Sequence, residues 1–512
     1  MKQSRQLFDK VCIAIVGLTL IYSITSCSTA PEQIVEKPRV ILTCDPELDD
    51  LNSLLRFLLH ATDMQIEGLI YASSQFHWKG DGKGTLAYFE NREYSRPGMN
   101  YGPMESYRWA KDERFIHDAV EAYAASYPNL KIHNPAYPTP EYLMSKVKWG
   151  NVEFDGDYTK DTEGSDLIKE VILDDKPAPV YVMVWGGGST LARALKSIED
   201  TYKGTPEWAS IYEKVSKKII ICLSGDQDNT NANYVRPNWP DIEHLTTNMG
   251  GVALGYNAQN GADPDIKHYY EAEWIKANIL DKGPMGAMYR VWGDGKTMVE
   301  GDMFDYFHLS GYTSEELREM GYNVWTAPRP KGEFISEGDT HTFLNFIDNG
   351  LRAHEDQSYG GWSGRKRANS PAVSDFSNRR QADPAMPNTF TSAVQNEMAA
   401  RFQWTVASTY ADANHHPQIK APLSISAAPG EKVNIKGSVK DPDGDRVSLN
   451  WWQFKVGTYE GDVTVDSPST ATTTFTVPAN AKPGETIHLI LEAQDSGTPA
   501  LTRYHRLIIT VV

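Results

Sequence analysis

A chain of 512 residues can hold about two to four domains at roughly 100 to 200 residues each, so an extensive buried core is available. Lys and Arg total 50 against 67 Asp and Glu, and the formal net charge of -17 repels phosphate backbones and anionic surfaces, which excludes nucleic acid as an expected partner. Aromatic residues make up 11% of the chain, a share that suits a saccharide partner because aromatic faces stack on the apolar faces of sugar rings, although most such rings belong in cores.

In chain order, Lys2, Arg5 and Lys10 precede an apolar run over 11–21 that is too short to span a bilayer, the pattern of an export signal. The run leads to Ile24-Thr25-Ser26-Cys27, which resembles the bacterial lipoprotein processing site, where the cysteine is acylated and becomes the mature N-terminus. Residues 1–27 are therefore read as a lipoprotein signal peptide and 28–37 as a tether. The expected location is outside the cytoplasm, anchored through Cys27 on the periplasmic side or the outer surface of the outer membrane. Cys12 leaves with the signal, so Cys44 and Cys222 alone enter the fold; each ends an apolar run, which predicts buried strand thiols and no disulfide framework.

Residues 39–43 form a β-branched, apolar strand, followed by an acidic turn and then Leu51, Leu54, Leu55 and Leu58 at helical spacing. A second strand over 66–71 completes a βαβ unit, with the turn at the carboxyl end of the first strand, where open parallel sheets place ligands. Strand-to-loop units recur at 180–184, running into Trp185-Gly186-Gly187-Gly188 and a helix over 189–198, and at 218–223 before Ser224-Gly225-Asp226. Ser73-Ser74-Gln75-Phe76-His77-Trp78 is a loop that can cover a site as well as connect elements. From about 414 the pattern changes to short alternating segments, 433–435, 447–452 and 486–491, between Pro, Gly and Asp turns, which read as a β-sandwich. The boundaries follow: an α/β domain over 38–410 and an all-β module over 411–512.

Asp45-Pro46-Glu47-Leu48-Asp49-Asp50 puts four carboxylates in six residues, packing that mutual repulsion makes costly unless a cation or shared protons neutralise it. Oxygen donors with no adjoining His or Cys favour calcium or magnesium over zinc, and several carboxylates suit calcium. A solvated acidic loop capping the next helix is the alternative reading of the same residues.

The turn resembles the signature of the nucleoside hydrolase superfamily, Asp-x-Asp-Pro-Gly-x-Asp-Asp: Asp45, Pro46, Asp49 and Asp50 match, while Thr43 replaces the first Asp and Glu47 the Gly. The nearest likeness is to its nucleoside-hydrolase-like, cellulose-binding branch, whose five motifs stand here at 45–50, 73–78, 163–166, 185–187 and 336–339, with a sandwich domain following. The resemblance implies an open, mostly parallel α/β sheet with flanking helices plus an Ig-like C-terminal sandwich. It also implies Ca2+ held by Asp45, Asp50, the Ser189 position and Asp339, with Asp45 as general base. Asp49 would accept from a sugar hydroxyl, Gln75 takes the place of a sugar-binding Asn, and Asn229 and Asn233 lie in the segment corresponding to the family's sugar-binding loop. The residues also offer His77 as an acid for the leaving group and Trp78 and Trp185 as stacking surfaces, against the plainer readings of a backbone-bonded loop histidine and core rings. The expected function is exported, calcium-dependent hydrolysis of an N- or O-glycosyl bond in a plant or microbial saccharide, with a non-catalytic carbohydrate-binding lipoprotein as the alternative and a homo-oligomer as a possible assembly.

In the C-terminal module, Asp441-Pro442-Asp443-Gly444-Asp445 reads as either a simple turn or a second calcium loop. Trp451 and Trp452 are adjacent on a strand and so point to opposite faces, one into the core and the other toward a sugar or the first domain.

Overall fold

The computed structural model describes residues 37–245, 252–365 and 390–512. The expected signal peptide, the lipidated Cys27 and nearly all of the tether lie outside these residues. Among the described residues no helix is long and apolar enough to cross a membrane.

Residues 37–512 form one compact unit. Its centre is a six-stranded, wholly parallel sheet of β1 (Arg39–Cys44), β2 (Gln65–Tyr71), β3 (Val147–Trp149), β4 (Val180–Val184), β5 (Ile219–Leu223) and β6 (Glu243–Leu245), in the order β3-β2-β1-β4-β5-β6. All six residues of β1 are buried, as expected of a central parallel strand covered on both faces. Val40, Leu42 and Cys44 face an apolar layer that includes α1 (Leu48–Leu59), α2 (Phe115–His133) and α6 (Thr391–Val406). Ile41 faces the opposite layer with α3 (Glu163–Leu173), α4 (Ser189–Tyr202) and α5 (Trp208–Lys218). Cys44 and Cys222 are both buried, as their place at strand ends predicts.

The sequence winds from β1 to β2 and β3 on one side and from β4 to β6 on the other, so the winding reverses between β1 and β4. At such a reversal the two loops leaving the carboxyl ends part and open a crevice. The acidic turn and the Gly-rich turn leave the sheet here.

The C-terminal strands are β7 (Gln418–Lys420), β8 (Ser424–Ala427), β9 (Lys432–Ile435), β10 (Ser438–Lys440), β11 (Ser448–Phe454), β12 (Thr473–Thr476), β13 (Thr486–Gln494) and β14 (Thr502–Val511). They form a four-stranded sheet β11-β13-β14-β8 and the pairs β10-β7 and β12-β9; the pairing is antiparallel except β14 with β8. Trp451 is buried in the sandwich core, and Trp452 packs instead against the α/β core, with its Nε1 donating to Glu492 at 3.0 Å. Phe454, Ile490 and Tyr504 also enter the α/β core, and the Tyr504 N–H donates to the Asn349 carbonyl at 2.9 Å. One face of the module is therefore a brace for the first domain.

Candidate active site

The acidic turn is built by a strand ending and a helix beginning within four residues. Glu47 is the N-cap of α1, and Asp49 and Asp50 lie in its first turn, where the positive end of the helix dipole favours anions. This local benefit does not offset their crowding. One oxygen from each of Glu47, Asp49 and Asp50 lies within 4.8 Å of the others, and so do one carboxylate oxygen each from Asp45 and Glu47 and a ring nitrogen of His77. Asp45, Asp50 and Asp339 are 0%, 1% and 4% exposed.

Each acid is positioned differently. The Asp45 N–H donates to Asp50 Oδ1 at 3.1 Å, and the Ser74 hydroxyl donates to Asp45 Oδ2. Asp45 Oδ1 is buried with no hydrogen-bond partner among the described residues. Burial pushes the Asp45 carboxyl up to about 7 against the Ser74 bond, and the charge of Asp49 adds to the rise. Burial, and then the charge of Asp339, raise Asp50 well above the usual carboxylate range. Asp49 Oδ2 accepts from Ser336 Oγ at 3.1 Å. The Arg108 guanidinium, whose charge bears on Asp45 and Glu47, is itself paired with Asp302 at 2.8 Å and Glu93 at 3.4 Å. Buried, mutually repelling oxygens with one left unbonded fit a hard divalent cation.

The loop carrying Asp339 is tied to the helix that carries the acids. Asn52, one turn beyond Asp49, donates to the carbonyls of Ser336 (3.0 Å) and Arg290 (3.1 Å). Arg56, one turn further, holds Glu337 through Nε at 2.5 Å and Nη2 at 3.1 Å, with both side chains fully buried. Asp49, Asn52 and Arg56 share one helix face at i, i+3 and i+7, so a single face of α1 sets both halves of the acidic cup.

Beside the cup lies a cleft of about 1120 Å³ whose lining includes Glu47, Asp49 and Asp339 together with Phe76, Arg108, Gln227, Tyr256, Phe304, Phe307 and Trp325, but neither Asp45 nor Asp50. Trp325 is 49% exposed and packs edge-on against Tyr256, ring centroids 4.7 Å apart. The Tyr256 hydroxyl donates to Glu47 Oε1 at 3.5 Å and is one of the groups that work against the burial-driven rise of the Asp49 carboxyl. Gln227 donates to the Trp185 carbonyl at 2.5 Å while its Oε1 has no partner among the described residues.

The structure gathers Asp45, Asp49, Asp50 and Asp339 and moves other predicted residues away from the cleft. Trp185 is fully buried, bonded through Nε1 to Thr342 Oγ1 at 2.7 Å and packed edge-on against Phe57, so it is a core ring and not a stacking surface. Trp78 is likewise fully buried, among Tyr94, Tyr107 and Phe304. Asn229 and Asn233 are exposed and outside the cleft lining, Asn229 with a left-handed φ of 61°; the neighbouring Gln227 lines the cleft instead, as do Asn257 and Asn260. Gln75 is half-buried, bonds Gln227 through its backbone, and yields the cleft wall to Phe76.

Ser189 is buried at the start of α4, where its N–H donates to Asp228 Oδ2 at 2.8 Å and its hydroxyl to the Asn151 carbonyl at 3.4 Å. His77 does lie beside Asp45 and Glu47, but its Nδ1 is 2.7 Å from the Arg108 carbonyl, which can only accept; Nδ1 therefore carries the proton and Nε2 a lone pair. Burial and the charge of Arg108 hold the ring well below its ordinary pKa, so in this state it is a neutral acceptor and not the acid expected from sequence.

Ser74 and Ser336 sit inside motifs already conspicuous in the sequence. Arg108, Tyr256 and Trp325 carry no local signal and come to the site only through long loops. Thr43, standing where the superfamily signature has Asp, is buried, its hydroxyl without a partner among the described residues.

Residues 39–365 match the family described as "Cellulose-binding Sde182, nucleoside hydrolase-like domain", and residues 432–511 match "Cellulose-binding protein Sde0182, C-terminal domain". Among solved structures, the chain is similar to a nucleoside hydrolase-related hypothetical protein from Saccharophagus degradans that is associated with carbohydrate metabolism. That likeness has a TM-score of 0.68 and 24% identity over 93% of this chain and 100% of the other, a likeness of fold. Murine CRIg also aligns, over 19% of this chain at a TM-score of 0.15, too low to carry an argument. No curated protein matches.

Proposed function

The chain belongs to the cellulose-binding family with a nucleoside hydrolase-like domain, and from that premise we propose that it is an exported, calcium-dependent hydrolase of a glycosidic bond, N- or O-glycosyl, in a plant or microbial saccharide. The observation that carries this reading is the unpartnered Asp45 Oδ1, buried among carboxylates beside a cleft of saccharide size. The carbohydrate association of the Saccharophagus protein agrees with the substrate class.

Asp45, Asp50 and Asp339 would hold the ion, with Glu47 beside them. A bound divalent cation supplies compensation of the crowded negative charge and lowers the pKa of water. Asp45, its Oδ2 held by Ser74, would take a proton from the water that attacks the anomeric carbon, whose transition state is oxocarbenium-like. Asp49 accepts from a ring hydroxyl, and Trp325 presents an exposed indole to a sugar ring. Tyr256 is the neutral O–H donor that the cleft wall offers to a departing oxygen, a role that the Nε2 lone pair of His77 cannot fill.

The test is a screen of plant and microbial glycans with and without chelator, following released product, for the parent chain and Asp45→Asn. Asp45→Asn is expected to lower turnover by about 10²–10⁴ while leaving glycan affinity nearly intact. Glycan binding with no product from the parent chain would instead make this a binding lipoprotein. Export and anchoring through Cys27 belong to the same proposal and are checked by membrane fractionation of a Cys27→Ser variant.

A further inference from the structure

The turn 441–445 between β10 and β11 curls around one side chain: Asp441 Oδ1 accepts from the N–H groups of Asp443 and Asp445, each at 2.9 Å. The carboxylates of Asp441, Asp443 and Asp445 each offer an oxygen within 4.8 Å of the others. An acidic turn alone means little, but here three oxygens from three separate segments are buried and unbonded among the described residues. They are Asp441 Oδ2, Asp495 Oδ2 just beyond β13, and Asn414 Oδ1 in the segment between α6 and β7. Their residues are 8%, 5% and 6% exposed.

The three segments are locked together. Asn414 Nδ2 donates to Asp495 Oδ1 at 3.0 Å and to the Pro499 carbonyl at 2.8 Å; both partners only accept, so the amide orientation is determined and Oδ1 is the free end. Asp495 Oδ1 also takes the N–H groups of Gly497 and Leu501, which leaves Oδ2 unused. Ser496 Oγ reaches Asp445 Oδ1 at 3.3 Å, and Asp441 bears electrostatically on Asp495. A Cβ at position 497 would fall 2.2 Å from the Asn414 amide, so glycine is what lets the amide sit there.

Leaving a buried acceptor unmade costs about 1–3 kcal/mol, and three such acceptors facing further carboxylates cannot satisfy one another, because none carries a proton to give. Among the described residues no Lys or Arg pairs with Asp441, Asp443, Asp445 or Asp495; the basic group facing the turn is His415, 3.0 Å from Asp443.

We propose that Asn414, Asp441 and Asp495, with Asp443 and Asp445, form a calcium site in the C-terminal module, separate from the acidic cup. The donor set is all oxygen and rich in carboxylate, the preference of a hard ion with a large, flexible shell. Its role follows from its members. The Asn414 carbonyl accepts from Trp404 Nε1 of α6 at 3.0 Å, so an ion here pins the segment that leaves the α/β core to the sandwich it enters.

The experiment counts calcium on the full chain by atomic emission after dialysis at millimolar calcium, alongside terbium luminescence sensitised through Trp404. Asp50→Asn, which disables the cup, is expected to retain one ion and its terbium signal; Asp50→Asn/Asp495→Asn is expected to lose both. Should the Asp495 variant fail to fold, Asp50→Asn/Asp441→Asn is read in its place, and chelator is expected to lower the thermal midpoint of Asp50→Asn by several degrees. An Asp50→Asn chain that binds no calcium, or a folded Asp441 or Asp495 variant that keeps its ion, overturns the proposal. A parent chain that binds one ion, the same ion kept by Asp50→Asn, would refute calcium in the cup and leave this site standing.

Discussion

The pairing of Arg56 with Glu337 offers a quantitative test of how the acidic cup is held. Both side chains are fully buried; Glu337 accepts from Arg56 at 2.5 and 3.1 Å and from the Tyr289 hydroxyl at 2.6 Å. Among the described residues, Glu337→Leu leaves the guanidinium with neutral acceptors alone, Gln395 Oε1 at 2.7 Å and the Val394 carbonyl at 3.1 Å. Removing one partner of such a pair costs about 3–5 kcal/mol, because the other charge stays buried without compensation, whereas replacing both with apolar groups is often close to neutral. Arg56→Met and Glu337→Leu are therefore each expected to destabilise by about 3 kcal/mol or more, and the double variant to cost no more than either single one, a coupling of about 3 kcal/mol or more. Urea unfolding of the four chains, followed by tryptophan fluorescence, measures the cycle. Because Glu337 lies two residues from Asp339, calcium affinity is expected to fall in the Glu337 variants as well. Single variants costing under about 1 kcal/mol, or a double variant as costly as the two singles summed, would refute the reasoning.

Other perturbations separate structure from site. Gly187→Ala would place a Cβ 2.4 Å from Asp228 Oδ2 and 2.5 Å from the Ser73 carbonyl, and that carbonyl already bonds the Gly187 N–H at 2.8 Å; a loss of about 1–3 kcal/mol in chemical unfolding is expected. Trp185→Ala is expected to cost about 3–5 kcal/mol of stability. Trp325→Ala, half-exposed, should leave stability within about 0.5 kcal/mol and weaken glycan binding by about 0.5–1.5 kcal/mol, read by calorimetry. Asp174 is lowered to about 2: burial works against it and is outweighed by hydrogen bonds from Arg39 and Lys218. Since the folded value lies below the unfolded one, this network contributes above about pH 4 and is lost as pH falls toward 2. Asp174→Asn should therefore flatten the fall in unfolding midpoint across that window.

Much of the site was legible because its signals are local. A β-branched run, an acidic turn and a leucine stripe at helical spacing place Asp45, Asp49 and Asp50 at the end of a central strand, and the 336–339 motif supplies Asp339. The aromatic wall was not legible. Trp78 and Trp185 flank conspicuous motifs and are core, whereas Trp325, in a sequence without pattern, faces the cleft. The proton on His77 depends on the Arg108 carbonyl, 31 residues away, and no local rule reports that contact.

By itself the sequence determined the α/β-then-β organisation, the family resemblance and the clustering of acids, because strand and helix periods, turn residues and like-charge crowding act over a few positions. The tertiary structure decided which indole is wet, which histidine nitrogen holds a proton, how Arg56 locks the Asp339 loop to α1, and that the segments carrying Asn414 and Asp495 are joined to the turn at 441–445. Those outcomes depend on groups brought together from positions far apart in the chain, and burial and electrostatics at such meetings are properties of the packed molecule.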